Sequence, residues 1–248
     1  MSRPFDAVLV VSFGGPGGPA DVRPFLANVL RGRRISPERL EEVVHHYERF
    51  GGVSPLTEIT LKQARGLESR LAERLEPLPV YVGMRNWHPL LPDTLRAMAA
   101  AGVKRAIGLV LAPQRSYSSC TQYRQNVMDA RAQLAADGLP DVAVTYVGDW
   151  HTHPKFVEAN ARHVRAALAR LPDAARMGAR LVFTAHSVPE SMTGATRYKQ
   201  QIEESAERVA AVLGATDYVV VFQSRSGRPE DPWLGPDVCE YLRAMPNR

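Results

Sequence analysis

Cysteine is scarce in this chain: Cys120 and Cys239 are the only two in 248 residues. So thin a supply excludes the disulfide framework that staples small secreted domains. Lysine is nearly as sparse, with only Lys62, Lys104, Lys155 and Lys199 among 31 basic residues, so the net charge of +5 is carried by arginine. Arginine favours planar two-oxygen partners such as carboxylates and phosphates. Apart from Arg31-Gly32-Arg33-Arg34 the charge is spread along the chain. That pattern reads as a solvated basic surface, and no nucleic-acid partner is expected. Long apolar runs are missing too: none approaches the ~20 residues of a membrane helix. The opening run, residues 7–13, leads into a glycine loop without a small-residue cleavage site. No stable membrane insertion and a cytoplasmic location are therefore expected.

Short apolar runs are plentiful instead, at residues 7–13, 80–84, 106–111, 142–147, 181–183 and 218–222. Between them lie stripes at three- and four-residue steps: Leu61, Ala64, Leu67, Leu71 and Leu75; Val157, Ala161, Val164 and Leu168; Ile202, Ala206, Val209 and Leu213. Strands alternating with helices of this length give βαβ units and a mainly parallel sheet, an α/β class. The turn-forming residues at 148–153 mark a lobe boundary, so the chain divides into an N-terminal α/β lobe, 1–147, and a C-terminal α/β lobe, 148–248.

In parallel sheets ligands collect beyond the carboxyl ends of strands. Three segments stand there. Ser12-Phe13-Gly14-Gly15-Pro16-Gly17-Gly18-Pro19 follows the first strand; it matches neither the dinucleotide fingerprint nor the P-loop, and its prolines remove amide donors a phosphate would need. It reads as a shaped loop over a flat or bulky ligand. Residues 114–123 follow the third run and are dense in hydroxyls, as a polar pocket wall or a solvated loop would be. After Leu181-Val182-Phe183 come Thr184, Ala185 and His186, then Ser187 and Pro189. A histidine so placed can act as base, proton shuttle or metal ligand, and without a nucleophile elbow it has no serine hydrolase to serve. His151-Thr152-His153-Pro154 lacks acids or thiols to complete a metal site and reads as a helix start. Tyr47-Glu48-Arg49-Phe50-Gly51-Gly52 closes one helix and Ser54-Pro55 opens the next. With Arg31 this makes an aromatic surface with a cationic edge, suited to an aromatic acid.

Taken together, Gly51-Gly52-Val53-Ser54-Pro55, Ala185-His186-Ser187 and Asp231-Pro232-Trp233-Leu234-Gly235-Pro236-Asp237-Val238 resemble the ferrochelatases over essentially the whole chain. Ser12-Phe13-Gly14-Gly15-Pro16, residues 117–123 and Gln223-Ser224-Arg225-Ser226-Gly227 are most similar to the actinobacterial coproporphyrin III ferrochelatases. The resemblance implies two similar α/β lobes, each a mainly parallel sheet flanked by helices, with a porphyrin cleft between them. It implies a lyase of haem biosynthesis that inserts Fe(II), its substrate, into coproporphyrin III to give coprohaem. Ferrous iron and coproporphyrin III are the implied partners, with hand-over to the next haem-pathway enzyme. His186 matches the residue assigned to iron or proton handling, so it is the expected catalytic and metal residue. Ser54 and Tyr123 match porphyrin-contacting positions. Phe13 and Tyr47 fall in segments of the same site, and Arg31 could take a propionate bidentately.

The departures set further expectations. Phe13 stands where some relatives have an iron-ligating tyrosine, and His46 where some carry a porphyrin-contacting arginine. Cys120 matches one ligand of the two-iron two-sulfur centre found in some relatives; such a cluster needs four, and Cys239 does not match another, so no iron–sulfur cluster is expected. The family's later segment, with a glutamate facing the histidine, has no counterpart before Arg248, so the second lobe is expected to be incomplete. Three alternatives stay open: a non-catalytic tetrapyrrole-binding protein, a protoporphyrin ferrochelatase, and a chelatase for cobalt or nickel.

Overall fold

The computed structural model describes residues 4–32, 35–74, 77–225 and 231–245. Arg33, Arg34, Leu75, Ser226, Gly227 and Arg248, named above, lie outside the described residues. Two compact units emerge: one holds residues 1–111 and 122–147, the other 112–121 and 148–248.

The first unit is built on β1 (Ala7–Ser12), β2 (Val80–Met84), β3 (Arg105–Val110) and β4 (Ala143–Tyr146). They form one all-parallel sheet in the order β2-β1-β3-β4. Central β1 is buried along its whole length, which explains its uninterrupted apolar sequence. Successive side chains on a strand point to opposite faces, and β1 divides its residues accordingly. Ala7, Leu9 and Val11 pack with Leu91, Leu95 and Met98 of α4 (Leu91–Ala100) and Val127 and Leu134 of α5 (Gln122–Ala136). Val8 and Val10 pack on the other face with Ala64, Leu61 and Leu67 of α3 (Leu56–Arg74). Each valine, leucine or methionine among them that is fully removed from water stabilises the unit by about 1.5–3 kcal/mol.

Two further helices, α1 (Pro19–Val29) and α2 (Pro37–Glu48), bury Val22, Phe25, Leu26 and Val44 against one another, with Phe13, Tyr47 and Trp87 packed alongside. The Ser36 hydroxyl accepts the Arg39 N–H at 3.2 Å and Pro37 opens the helix, a local reason for α2 to begin there. Beyond its end the chain turns through Gly52 at φ +70°, where a Cβ would lie 2.6 Å from Pro19 Cα; only glycine meets both demands.

In the second unit β5 (Leu181–His186) and β6 (Tyr218–Gln223) pair in parallel through α8 (Ala195–Leu213). Helix α6 (Pro154–Leu168) packs Val157 and Ala161 on Val209 and Phe183, and the short α7 (Asp173–Met177) leads into β5. A second cluster unites Ala185, Val188, Ala195, Phe222 and Leu234, and α9 (Val238–Ala244) is capped by the Asp237 carboxylate. The apolar run 181–183 is shorter than the strand it belongs to. The strand does not stop at Phe183: Thr184, Ala185 and His186 pair with Val221, Phe222 and Gln223, so His186 is the last strand residue.

Candidate functional site

The side chains that chemistry would use cluster at strand ends in each unit. In the second unit His186 closes β5, and its side chain reaches solvent. The flanking protein nonetheless strips enough water to disfavour the imidazolium, so its pKa lies below the ordinary histidine value. A neutral imidazole near pH 7 is a competent proton acceptor and metal ligand.

The backbone around it is held closely. The Ser187 N–H donates to the Gln223 carbonyl at 2.7 Å. The buried Ser187 hydroxyl donates to the Leu234 carbonyl at 2.7 Å, and the Tyr198 hydroxyl to the His186 carbonyl at 3.2 Å. Residues 188–190 are tied to 232–234 through Leu234 N–H to Val188 O and Glu190 N–H to Pro232 O, each 3.0 Å. Trp233 sits on this strap; its buried indole N–H has no hydrogen-bond partner among the described residues.

Residues 112–121, dense in hydroxyls, are anchored in the same unit. Gln114 donates to Ser205 Oγ at 3.1 Å, and the Arg115 N–H to Gln201 Oε1 at 2.7 Å, both acceptors being on α8. The Arg115 guanidinium pairs with Asp149, which also receives Arg197 at 2.8 Å and Gln201 at 3.0 Å. Burial alone would raise the Asp149 pKa, but the Gln201 hydrogen bond and the two arginines outweigh it and hold the carboxyl below its usual value. His151 is buried against Glu204 at 2.7 Å, and His153 caps α6 as the sequence suggested. No group of three metal-ligating side chains occurs among the described residues.

In the first unit Phe13 follows β1 and Trp87 follows β2, both beyond carboxyl ends. Phe25 gathers them edge-to-face, with ring centroids 6.2 Å from Phe13, 6.3 Å from Trp87 and 5.8 Å from Tyr47. Burial pushes the Tyr47 phenol up. Beside this cluster an open depression of about 340 Å³ is lined by His46, Tyr47, Phe50, Val53, Ser54 and Pro55. Phe50, 82% exposed, offers it an apolar lip.

The glycine loop is fixed from beneath. Gly15 N–H donates to Thr57 Oγ1 at 3.2 Å, Gly17 N–H to Asp21 Oδ2 at 3.0 Å, and Ser54 N–H to the Pro16 carbonyl at 2.8 Å. Amides already committed to protein acceptors do not cradle phosphate, in keeping with a shaped loop.

Tyr47 and Ser54 thus share one depression, and Phe13 joins through the aromatic cluster. Arg31 is not part of the depression's lining; its exposed guanidinium donates to Asn28 Oδ1 at 2.8 Å. Tyr123 is on α5, not in a loop, and is buried in the core with Leu9, Val11 and Val127. Trp87 and Tyr198 are not singled out by the sequence, and Trp233 enters only within the Asp231–Val238 motif, although Trp87 and Trp233 stand in segments that follow strands.

An α/β chain with histidine and aromatic residues at its strand ends fits a metal-inserting enzyme of the chelatase type. The family comparison is specific: the ferrochelatase sequence model matches residues 5–248, and the chain belongs to the ferrochelatase family. It is 45% identical over 98% of its length to the coproporphyrin III ferrochelatase of Mycobacteroides abscessus, covering 71% of that protein. It is 42% identical over 97% to the coproporphyrin III ferrochelatase of Corynebacterium glutamicum strain R, covering 66% of it. The ferrochelatase of Rhodopirellula baltica is 43% identical over 98% of this chain, which spans 68% of that protein. The chain therefore spans roughly two thirds to seven tenths of these relatives. No helix among the described residues is long and apolar enough to cross a membrane.

Proposed function

We propose that this chain inserts Fe(II) into coproporphyrin III, forming coprohaem in haem biosynthesis. The observation that carries the reading is His186: a solvent-reachable imidazole, kept neutral by desolvation, at the carboxyl end of β5. Insertion replaces two pyrrole N–H bonds with bonds to iron and releases two protons. His186 accepts a proton at its free ring nitrogen or meets the incoming Fe(II), since the neutral ring offers one lone pair.

The remaining residues serve the macrocycle. Phe13, Trp87 and Tyr47 give apolar ring surface, and Ser54 gives a hydroxyl beside it. Arg31 is exposed and suited to a propionate at the edge. Tyr123, buried in the core, supports the helix beneath. The lobes divide at 147/148, with residues 112–121 the exception that packs with the second unit; the protein acts in the cytoplasm, and its product passes to the next enzyme of the pathway. It carries no iron–sulfur cluster, Cys120 alone matching a cluster ligand.

The test is anaerobic incubation of the chain with coproporphyrin III and Fe(II), followed by porphyrin fluorescence and absorption. Falling fluorescence with a growing coprohaem band is expected. Tight porphyrin binding without turnover would make it a tetrapyrrole-binding protein. Faster insertion into protoporphyrin, or of cobalt or nickel, would replace the substrate named here.

A further inference from the structure

His186 is the last residue of its strand, and the final hydrogen bond of the ladder runs through the peptide that follows it. Here the peptide joining His186 to Ser187 is fixed at both ends. Its carbonyl accepts the Tyr198 hydroxyl at 3.2 Å. Its N–H donates to the Gln223 carbonyl at 2.7 Å. The Ser187 hydroxyl, in a residue 2% exposed, extends the hold to the Leu234 carbonyl at 2.7 Å. A peptide unit is planar; with the ladder holding the preceding peptide, pinning this one's oxygen and hydrogen sets ψ of His186, and with it the direction of the Cα–Cβ bond.

The geometry points to Tyr198 and Ser187 as positioning residues that clamp the His186–Ser187 peptide and thereby aim the imidazole. The clamp is anchored on both sides. Tyr198 lies in the first turns of α8, which is fastened by the Arg197 and Gln201 contacts to Asp149 that flank it in sequence. Leu234 belongs to the strap that crosses residues 188–190. Neither residue touches the reacting atoms through this contact. Each acts through the histidine, so the inference rests on the reading of His186 as the metal- or proton-handling group. Misaiming a reacting group by roughly 1 Å can cost a rate factor of about a hundred.

The experiment compares wild type, Tyr198→Phe and His186→Ala in Fe(II) insertion into coproporphyrin III, with NMR of the histidine ring protons alongside. His186→Ala identifies the His186 Hε1 signal by its disappearance. Tyr198→Phe keeps the ring and its packing and removes only the hydroxyl. The expected result is kcat lower by roughly 10- to 100-fold with KM for the porphyrin unchanged, and a His186 signal that broadens or splits. An unchanged, narrow His186 signal overturns the clamp, as does a raised KM at wild-type kcat. Normal turnover in His186→Ala instead removes the role assigned to the histidine, and the ring signal still decides the clamp. Should the wild-type chain not turn over, the same signal decides alone. Ser187→Ala strands a buried carbonyl and is read only where its melting curve matches wild type, with Tyr198→Phe bearing the inference otherwise.

Discussion

Gly15 and Ser54 are in contact because Gly15 has no side chain: a Cβ built there would stand 2.5 Å from Ser54 Cβ and 2.6 Å from its Oγ. Distant in sequence, the two fix the glycine loop on the start of α3. Gly15→Ala must push Ser54 out of the depression it lines or bend the loop. Overpacking of this kind costs about 1–3 kcal/mol. The expected outcome is a lower melting temperature with weakened coproporphyrin binding, read by fluorescence titration. Retained affinity would show that Ser54 is not a porphyrin contact.

His186→Ala is expected to abolish iron insertion while leaving porphyrin affinity within a few-fold of wild type. Parallel loss of both would mean that the residue supports the fold and not the reaction.

The lowered pKa of His186 fixes the sign of its pH dependence. The folded state holds its proton less tightly than the unfolded chain, whose histidine titrates near 6.5. Its contribution therefore carries no penalty above that value and disfavours the fold as pH falls below it. The neutral form also survives to more acid pH than in an ordinary histidine. The acid limb of kcat/KM should accordingly have its midpoint below 6.5, and His186 should titrate there by NMR. A midpoint above that value would contradict the desolvated setting.

Asp149→Asn leaves Arg115 and Arg197 facing a neutral amide. Hydrogen bonds to charged groups contribute about 1.5–3 kcal/mol each, and the Asp149 side chain is 19% exposed, so a loss of about 2 kcal/mol is expected. Hydrogen exchange along α8 and residues 112–121 should accelerate together. Because the Asp149 pKa is depressed, its stabilisation is present above 3.8 and lost as pH falls through the folded value. Local protection in this unit should thus fade in acid, and Asp149→Asn should flatten that response.

Anaerobically purified protein should contain neither sulfide nor the visible absorption of an iron–sulfur centre. A stoichiometric signal would show Cys120 recruited as a ligand.

Much of the fold was legible because parallel sheets write themselves in apolar runs. β1 needs no partner to be recognised, its residues being buried on both faces. The three helical stripes at α3, α6 and α8 were equally open, each facing a core. The apolar run of β5 is shorter than the strand for a physical reason: Thr184 and His186 are exposed, so the last pairs depend on β6 and not on burial. Residues 114–123 were ambiguous because their partners, Gln201, Ser205 and Asp149, are distant in sequence and polar, and no periodicity announces such a contact. Tyr123 adjoins that hydroxyl-rich stretch in sequence, although Val127, Ala130 and Leu134 continue its stripe along α5. At the candidate site, His186 stands out in the sequence because it follows an apolar run closely. The peptide clamp around it does not, since a serine, a tyrosine and a main-chain carbonyl carry no distinguishing pattern.

Residues 112–121 belong with the second unit though β3 precedes them and α5 of the first unit follows. The chain accordingly passes from one unit to the other three times, at 111/112, 121/122 and 147/148. No single cut in the gene can yield both units intact: a fragment starting at 148 would keep Asp149 and lose Arg115, while one ending at 147 would carry Arg115 severed from its acid. Swapping either unit between relatives would need the ten-residue insert to travel with its host, as an inlaid piece rather than a terminal domain.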